Sequence, residues 1–221
     1  MHGTDSNGIV TTGTTTVGLV GADGVVLAAD SRASLGGRFV TNRTARKVVP
    51  VDDRTALTFA GSVGDAQSFV RRLRAELALY DMDHEPGASV DTAATVAADL
   101  IRREETPQLE LVLGGVVPDP TVYQIDPAGG VMDAPIAASG SGMQLAYGYL
   151  EDAHDPERSV AELRAVAAMA VRNATERDTA SGDGMTIATI TADELEREQY
   201  DGIERAVSAA TSRTTDSEVV R

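Results

Sequence analysis

Apolar positions along this chain switch repeatedly between the two-residue period of strands and the 3.6-residue period of helices. Residues 14–20 (TTTVGLV) and 25–31 (VVLAADS) flank the turn signal Gly21-Ala22-Asp23-Gly24, which predicts a tight hairpin. Two short apolar runs follow, 47–51 (KVVPV) and 56–61 (ALTFAG). From Asp65 the period lengthens. Phe69, Val70, Leu73, Leu77 and Tyr80 share one helical face, with Arg71, Arg72, Arg74 and Glu76 mostly on the other. After the Pro86-Gly87 break, Ser89 is placed to cap a second helix running to about residue 105, with Pro107 just beyond it. Strand patterning returns at 109–117 and 121–126, and again at 131–139 after a turn at 127–130. A helix is expected from about residue 143 to 151. Ser159 and Glu162 form a capping box that opens another, to about residue 176. Residues 185–191 (MTIATIT) read as a last clear strand, and the acidic, Ser/Thr-rich remainder as a tail with at most a short helix near Ile203.

The order strands, two helices, strands, two helices, strand predicts an α+β fold of two packed sheets with a helix layer outside each. No repeat of fixed period and no long linker interrupts it, so 221 residues form one domain, which at this size buries roughly 70% of its unfolded surface.

Composition narrows the chemistry. Without cysteine, disulfides, thiolate metal sites and cysteine nucleophiles are excluded, which favours a reducing compartment. No apolar stretch reaches the roughly 18 residues that span a bilayer, and the first thirteen residues lack the basic start and apolar core of a secretory signal. A cytoplasmic location is expected, and the N-x-T triplets at Asn42 and Asn173 are read as chance. Acidic residues outnumber basic ones 34 to 19, for a net charge of -15. Such a surface repels nucleic acid and anionic membranes, so neither is expected as a partner. It also suits a salt-rich cytoplasm, where self-repulsion is screened over about 3 Å at 1 M salt. A single lysine, Lys47, remains among eighteen arginines.

The three histidines, His2, His84 and His154, lie in the leading segment or in polar connections, with no nucleophile near them in sequence. Metal and nucleotide motifs are missing, and Gly140-Ser141-Gly142 lacks the spacing of a nucleophile elbow. No cofactor and no metal are expected. What remains is a hydroxyl nucleophile with an amine as its base. Residues 11–16 hold five threonines, which as β-branched residues also simply suit a strand. A threonine at a free chain terminus carries its own base, since an α-amine titrates at about 7.7–8.0. A cationic lysine beside it would favour the neutral amine and the deprotonated hydroxyl, and would itself need a carboxylate. The hairpin supplies one, because Asp30 returns to within a residue or so of residues 14–16.

GTTTVG, AADSRAS, Lys47-Val-Val-Pro-Val, FAGSVGDAQ, ASGSG and RDTASGDG occur in that order between Gly13 and about residue 191. Together they resemble the β subunits of the archaeal 20S proteasome, of the haloarchaeal kind. The bacterial two-ring threonine protease fits less well, given the GDAQ and RDTASG motifs and the longer chain. The resemblance implies the four-layer αββα sandwich of N-terminal nucleophile hydrolases. It implies a propeptide, 1–13, removed by self-cleavage between Gly13 and Thr14, a single domain over 14–205, and a polar, flexible tail over 206–221. Position by position, Thr14 matches the nucleophile and Asp30 with Lys47 the paired acid and lysine. Ser141, Asp178 and Ser181 match the residues that support the terminal amine and the hydroxyl, and Gly61 the oxyanion donor. Ala33, Ser34, Ala45, Val49, Phe59 and Val63 match the substrate pocket, whose apolar character implies cleavage after hydrophobic residues. Phe59 is bulkier than the aliphatic residue often found there. The segment between Asp30 and Lys47 is one residue longer than usual, a shift that would otherwise put Arg46 at the lysine's place; the VVPV strand fixes the register on Lys47. Asp183 extends the loop after Ser181.

The activity so implied is that of a threonine endopeptidase degrading unfolded proteins. Implied partners are other β subunits in a seven-membered ring, flanking α-subunit rings, and an activating ATPase reached through the α ring. The alternative is a non-catalytic structural β-ring subunit.

The charge balance makes the first testable statement. The midpoint of thermal unfolding should rise steadily as KCl is raised from about 0.1 M to about 2 M. A flat or falling profile would contradict the salt-rich reading.

Overall fold

Residues 24–30 are buried without exception, although their sequence alternates little. In the computed structural model, which describes residues 13–35, 37–85, 87–104 and 109–218, the reason is that both faces of this strand are covered. The strand β2 (Gly24–Asp30) pairs with β1 (Thr16–Gly21) across a two-residue turn, with Gly21 opposite Gly24. Val25, Leu27 and Ala29 point into a core shared with a second sheet, while Val26 and Ala28 point into a core shared with helices.

A short hairpin, β3 (Ala33–Leu35) with β4 (Phe39–Asn42), follows, and its register shifts between Ala33 and Ser34. Then come β5 (Val48–Pro50), β6 (Thr55–Ala60), α1 (Val63–Asp83), α2 (Val90–Glu104), β7 (Glu110–Gly115), β8 (Thr121–Ile125), β9 (Val131–Asp133) and β10 (Ile136–Ser139). The chain continues through α3 (Met143–Ala153), α4 (Val160–Thr175), β11 (Met185–Thr191), β12 (Leu195–Tyr200) and α5 (Ile203–Glu218). One antiparallel sheet runs β10-β1-β2-β11-β12 and the other β5-β6-β7-β8-β9. Helices α1 and α2 cover the second sheet through Phe69, Leu73, Ala94 and Ile101; α3, α4 and α5 cover the first through Ala146, Leu150, Leu163, Ala167 and Ala206. The fold is the expected αββα sandwich, with three apolar layers between four structural ones.

Local signals act as the sequence indicates. The capping box at Ser159 and Glu162 is complete, and Ser89 accepts the Thr92 N–H at 3.0 Å. Three expectations need correction. The run 131–139 is not one strand: it breaks before Ile136 at Pro135, which has no N–H for a ladder, and its halves β9 and β10 lie in different sheets. The segment after 191 contributes β12, whose charged LEREQY sequence hides a strand paired residue by residue with β11. Finally, the chain from 206 is not a tail: residues to Glu218 belong to α5, which buries Ala206 and Ala210, too small to give a strong apolar stripe.

The sheets approach closely where they carry no side chain. A Cβ on Gly18 would lie 2.6 Å from Val112 Cγ1, and one on Gly114 would lie 2.7 Å from Val25 Cγ1 of the facing sheet. Gly114→Ala should therefore destabilise the subunit by about 1–3 kcal/mol through overpacking. An unchanged denaturant midpoint would show that the sheets can part without loss.

Candidate active site

The open end of the first hairpin carries Thr14 and Thr15 on one strand and Asp30 on the other. Asp30 N–H donates to Thr15 O at 3.1 Å, and Thr15 N–H donates to Asp30 Oδ1 at 2.9 Å. The same Oδ1 accepts Lys47 Nζ at 2.8 Å, while Oδ2 accepts the backbone N–H groups of Arg32 at 3.0 Å and Gly182 at 2.8 Å. Asp30 is thus a fully buried carboxylate with four donors from four segments. Lys47, 2% exposed, precedes β5 in the opposite sheet and reaches across to it. Asp30 is its one hydrogen-bond partner among the described residues, so two of its three donor positions are uncommitted. Burial pushes the Asp30 carboxyl above its ordinary value, opposed by the charge and hydrogen bond of Lys47 and by the backbone donors. Burial likewise pushes the Lys47 ammonium below its ordinary value, opposed by Asp30.

The Gly140–Gly142 loop and the segment after α4 hold Thr14. Its N–H, here the amide to Gly13, donates to Ser141 Oγ at 3.1 Å, and its carbonyl accepts Gly142 N–H at 3.2 Å. Ser141 Oγ donates to Asp178 Oδ2 at 2.5 Å. Ser181 Oγ donates to the same oxygen at 2.6 Å and lies 2.8 Å from Thr15 Oγ1, whose proton is left to complete that contact. Asp178 meanwhile uses Oδ1 in a local turn, accepting Ala180 N–H at 3.1 Å. Asp178 therefore reaches the Thr14 nitrogen only through Ser141, and Ser181 reaches the second threonine, not the first. Thr14 Oγ1 is buried with no hydrogen-bond partner among the described residues. A buried hydroxyl left so is unfavourable by about 1–3 kcal/mol.

Glycines make this crowding possible. Gly140, at φ 89°, would place a Cβ 2.2 Å from Thr14 O, and a Cβ on Gly13 would sit 1.8 Å from Ala180 Cβ. Gly61, also at positive φ, lies between β6 and the Ser62 cap of α1. Asp183, at φ 67°, bridges Arg32 at 2.9 Å and Arg43 at 2.5 Å. Burial opposes its ionisation, but the two guanidiniums hold its carboxyl below the usual range. Residues 1–12 of the expected propeptide lie outside the described residues.

The model of the proteasome subunit family matches residues 10–190 of this chain. The chain belongs to that family. It is 45% identical to a proteasome subunit beta of Halorhabdus utahensis, over 92% of this chain and 87% of the relative. It is 48% identical to a proteasome subunit beta 1 of Haloterrigena turkmenica, over 85% and 77%. With a proteasome subunit beta 2 of Haloarcula marismortui it shares 43% over 92% and 89%.

In this proteasome-family chain the residues expected to form one substrate pocket divide between two cavities. Ala33, Ala45 and Val63 line one of about 490 Å³, and Val49 and Phe59 another of about 220 Å³. Ser34 lines neither, and its buried Oγ has no partner among the described residues. Sequence reasoning missed Glu110, whose Oε2 accepts Gly140 N–H at 3.2 Å from the opposite sheet, and the backbone donors of Arg32 and Gly182. No spacing in the chain announces them. Among the described residues no helix is long and apolar enough to cross a membrane.

Lys47→Met should destabilise the subunit by about 3–5 kcal/mol near pH 7, because the Asp30 carboxylate stays buried without its cation. Losing Lys47 raises the Asp30 carboxyl further, so the folded state holds a proton that the unfolded state releases. Stability then falls as pH rises from the ordinary carboxylate value through the raised one, and the deficit narrows on acidification. Denaturant midpoints at about pH 7 and about pH 5 test this; an equal deficit at both would contradict it.

Proposed function

We propose that this chain is a catalytic β subunit of a proteasome core, a threonine endopeptidase whose nucleophile is Thr14 Oγ1. The observation that carries this reading is the buried, unpartnered Thr14 hydroxyl at a chain position gripped by Ser141 and Gly142, beside the Asp30–Lys47 pair. The hydroxyl attacks the Gly13 carbonyl, the acyl group passes from Thr14 nitrogen to Thr14 oxygen, and water hydrolyses the ester. This removes residues 1–13 and frees the Thr14 amine. Gly13 permits the attack because, without a side chain, it packs directly against Ala180.

In the mature site the amine occupies the position that the Thr14 amide now holds against Ser141 Oγ, a contact anchored by Asp178. It takes the proton of the hydroxyl as Oγ1 attacks a substrate carbonyl, gives it to the leaving amine, and repeats the exchange with water. Lys47, with donors uncommitted and its ammonium weakened by burial, stabilises the alkoxide character of Oγ1. Gly61 N–H serves as oxyanion donor, a role commonly worth about 2.7–4 kcal/mol. The walls formed by Ala33, Ala45 and Val63 favour hydrophobic side chains before the cleaved bond. Partners follow from the same reading: a seven-membered β ring, α rings outside it, an ATPase acting through them on unfolded proteins, and a salt-rich cytoplasm.

Thr14→Ala should abolish peptide hydrolysis by the assembled particle, by at least about a thousandfold, with the subunit folded and residues 1–13 retained by intact mass. Normal turnover by this variant, or residues 1–13 retained in an active wild-type particle, would overturn the assignment and favour a structural ring subunit.

A further inference from the structure

Two features of the sequence, the extra residue between Asp30 and Lys47 and the longer loop at Asp183, meet in the structure. Asp183 Oδ2 accepts Arg32 Nε at 2.9 Å, and Oδ1 accepts Arg43 Nη1 at 2.5 Å. The Asp183 side chain is 13% exposed, and its backbone, at φ 67°, lies in the left-handed region that glycine, asparagine and aspartate tolerate best. The two arginines stand towards opposite ends of the lengthened segment. Arg32 follows Asp30 by two positions and donates its N–H to Asp30 Oδ2, while its guanidinium also donates to Thr179 O at 2.8 Å. That guanidinium lies against Gly182, where a Cβ would sit 2.7 Å from Arg32 Nη2, and Gly182 N–H donates to the same Asp30 oxygen. Arg43 directly follows β4, between Asn42 and Thr44, which line the larger cavity with Ala45 and Arg46.

Resting on the peptidase reading, we propose that Asp183 is a positioning residue that clamps both ends of the segment between Asp30 and Lys47, holding the cavity wall in register with the Asp30–Lys47 pair. Each carboxylate oxygen makes its shortest contact with a different arginine, so the clamp has two separable arms. The Arg32 arm acts on the chemistry: with Arg32 held against Gly182, two backbone donors converge on one oxygen of Asp30 and orient the carboxylate that holds Lys47. The Arg43 arm acts on binding. Arg43 is 67% exposed in its side chain, and Asp183 is its one hydrogen-bond partner among the described residues, so this contact ties the wall at 42–46 to the loop after Ser181. Ala45 N–H completes the circuit by donating to Ser31 O, beside Asp30, at 2.9 Å. A charge-assisted contact to each guanidinium gives the clamp its strength, and the left-handed backbone aims the carboxylate between them.

The assembled particle should be assayed for kcat and KM on one fluorogenic peptide at one fixed KCl concentration, with folding checked by the denaturant midpoint. Arg43→Met should raise KM at least about fivefold and leave kcat within about twofold of the wild type. Asp183→Gly, which accepts the same φ without strain, should raise KM similarly and also lower kcat at least about tenfold. Asp183→Asn keeps the shape and one acceptor without the charge, and should fall between Asp183→Gly and the wild type. Because Arg43 is exposed, Arg43→Met decides the matter even where Asp183→Gly fails to assemble. An active wild type whose KM is unmoved by Arg43→Met, or whose Asp183 variants lose stability with both constants unchanged, would overturn the inference and leave the peptidase reading intact. A wild-type particle without peptidase activity would sink that reading itself.

Discussion

The ion pair between Asp30 and Lys47 joins the two sheets at the end where the threonines lie. Asp30 closes β2 in one sheet and Lys47 directly precedes β5 in the other, and both are excluded from water. Removing two charges from water is expensive by several kcal/mol per ion, and a well-packed apolar pair in such a place is often as stable or more so. Stability alone does not account for the pair. What it does, and an apolar pair would not, is gather directional contacts: through Asp30 the backbone at Thr15, Arg32 and Gly182 is fixed at once. The uncommitted donors of Lys47 add a buried positive charge at the end of the sheets where the threonines lie.

The glycines solve the complementary problem of room. The chain at 13–15 runs so close to Gly140, Gly142 and Ala180 that a methyl group on any of these glycines, or on Gly13, would overlap its neighbours. Hydroxyls reach what the backbone does not: Ser141 and Ser181 converge on one oxygen of Asp178 and so link both threonines to the end of α4. Glu110 ties the Gly140 loop to the far sheet. The site is therefore held from both sheets and from one helix layer, and its geometry depends on the sandwich staying closed.

Much of this was legible because its signals are local. The hairpin could be read from its turn residues, the α4 start from Ser159 and Glu162, and the place of Asp30 from strand register. Lys47 stood out as the lone lysine, and the structure gives it the buried position while leaving Arg46 outside. The roles suggested for Ser141, Asp178 and Ser181 came only from a resemblance, since contacts across 127 and 166 residues leave no periodic trace. Strand β12 and helix α5 were hidden because their burial rests on charged stems and alanines. Arg164 is an instance: it is buried beneath β12, bonded to Thr189 and paired with Glu198, where a hydropathy reading expects an exposed residue.

The acidic surface and the arginine-lined cavities carry opposite charge and act over different distances. A surface of net charge -15 would, at low salt, repel any acidic polymer that approached it. In concentrated salt the field of that surface decays within about 3 Å, so it no longer repels acidic molecules at a distance. A contact inside a partly enclosed cavity is screened much less, because few ions fit between the paired groups. Under those conditions charge acts within the two cavities, whose charged lining residues are Arg46, Arg71 and Arg74. A chain adapted to bear so many carboxylates outside has reason to keep them out of its own pocket, and among the residues lining both cavities it does.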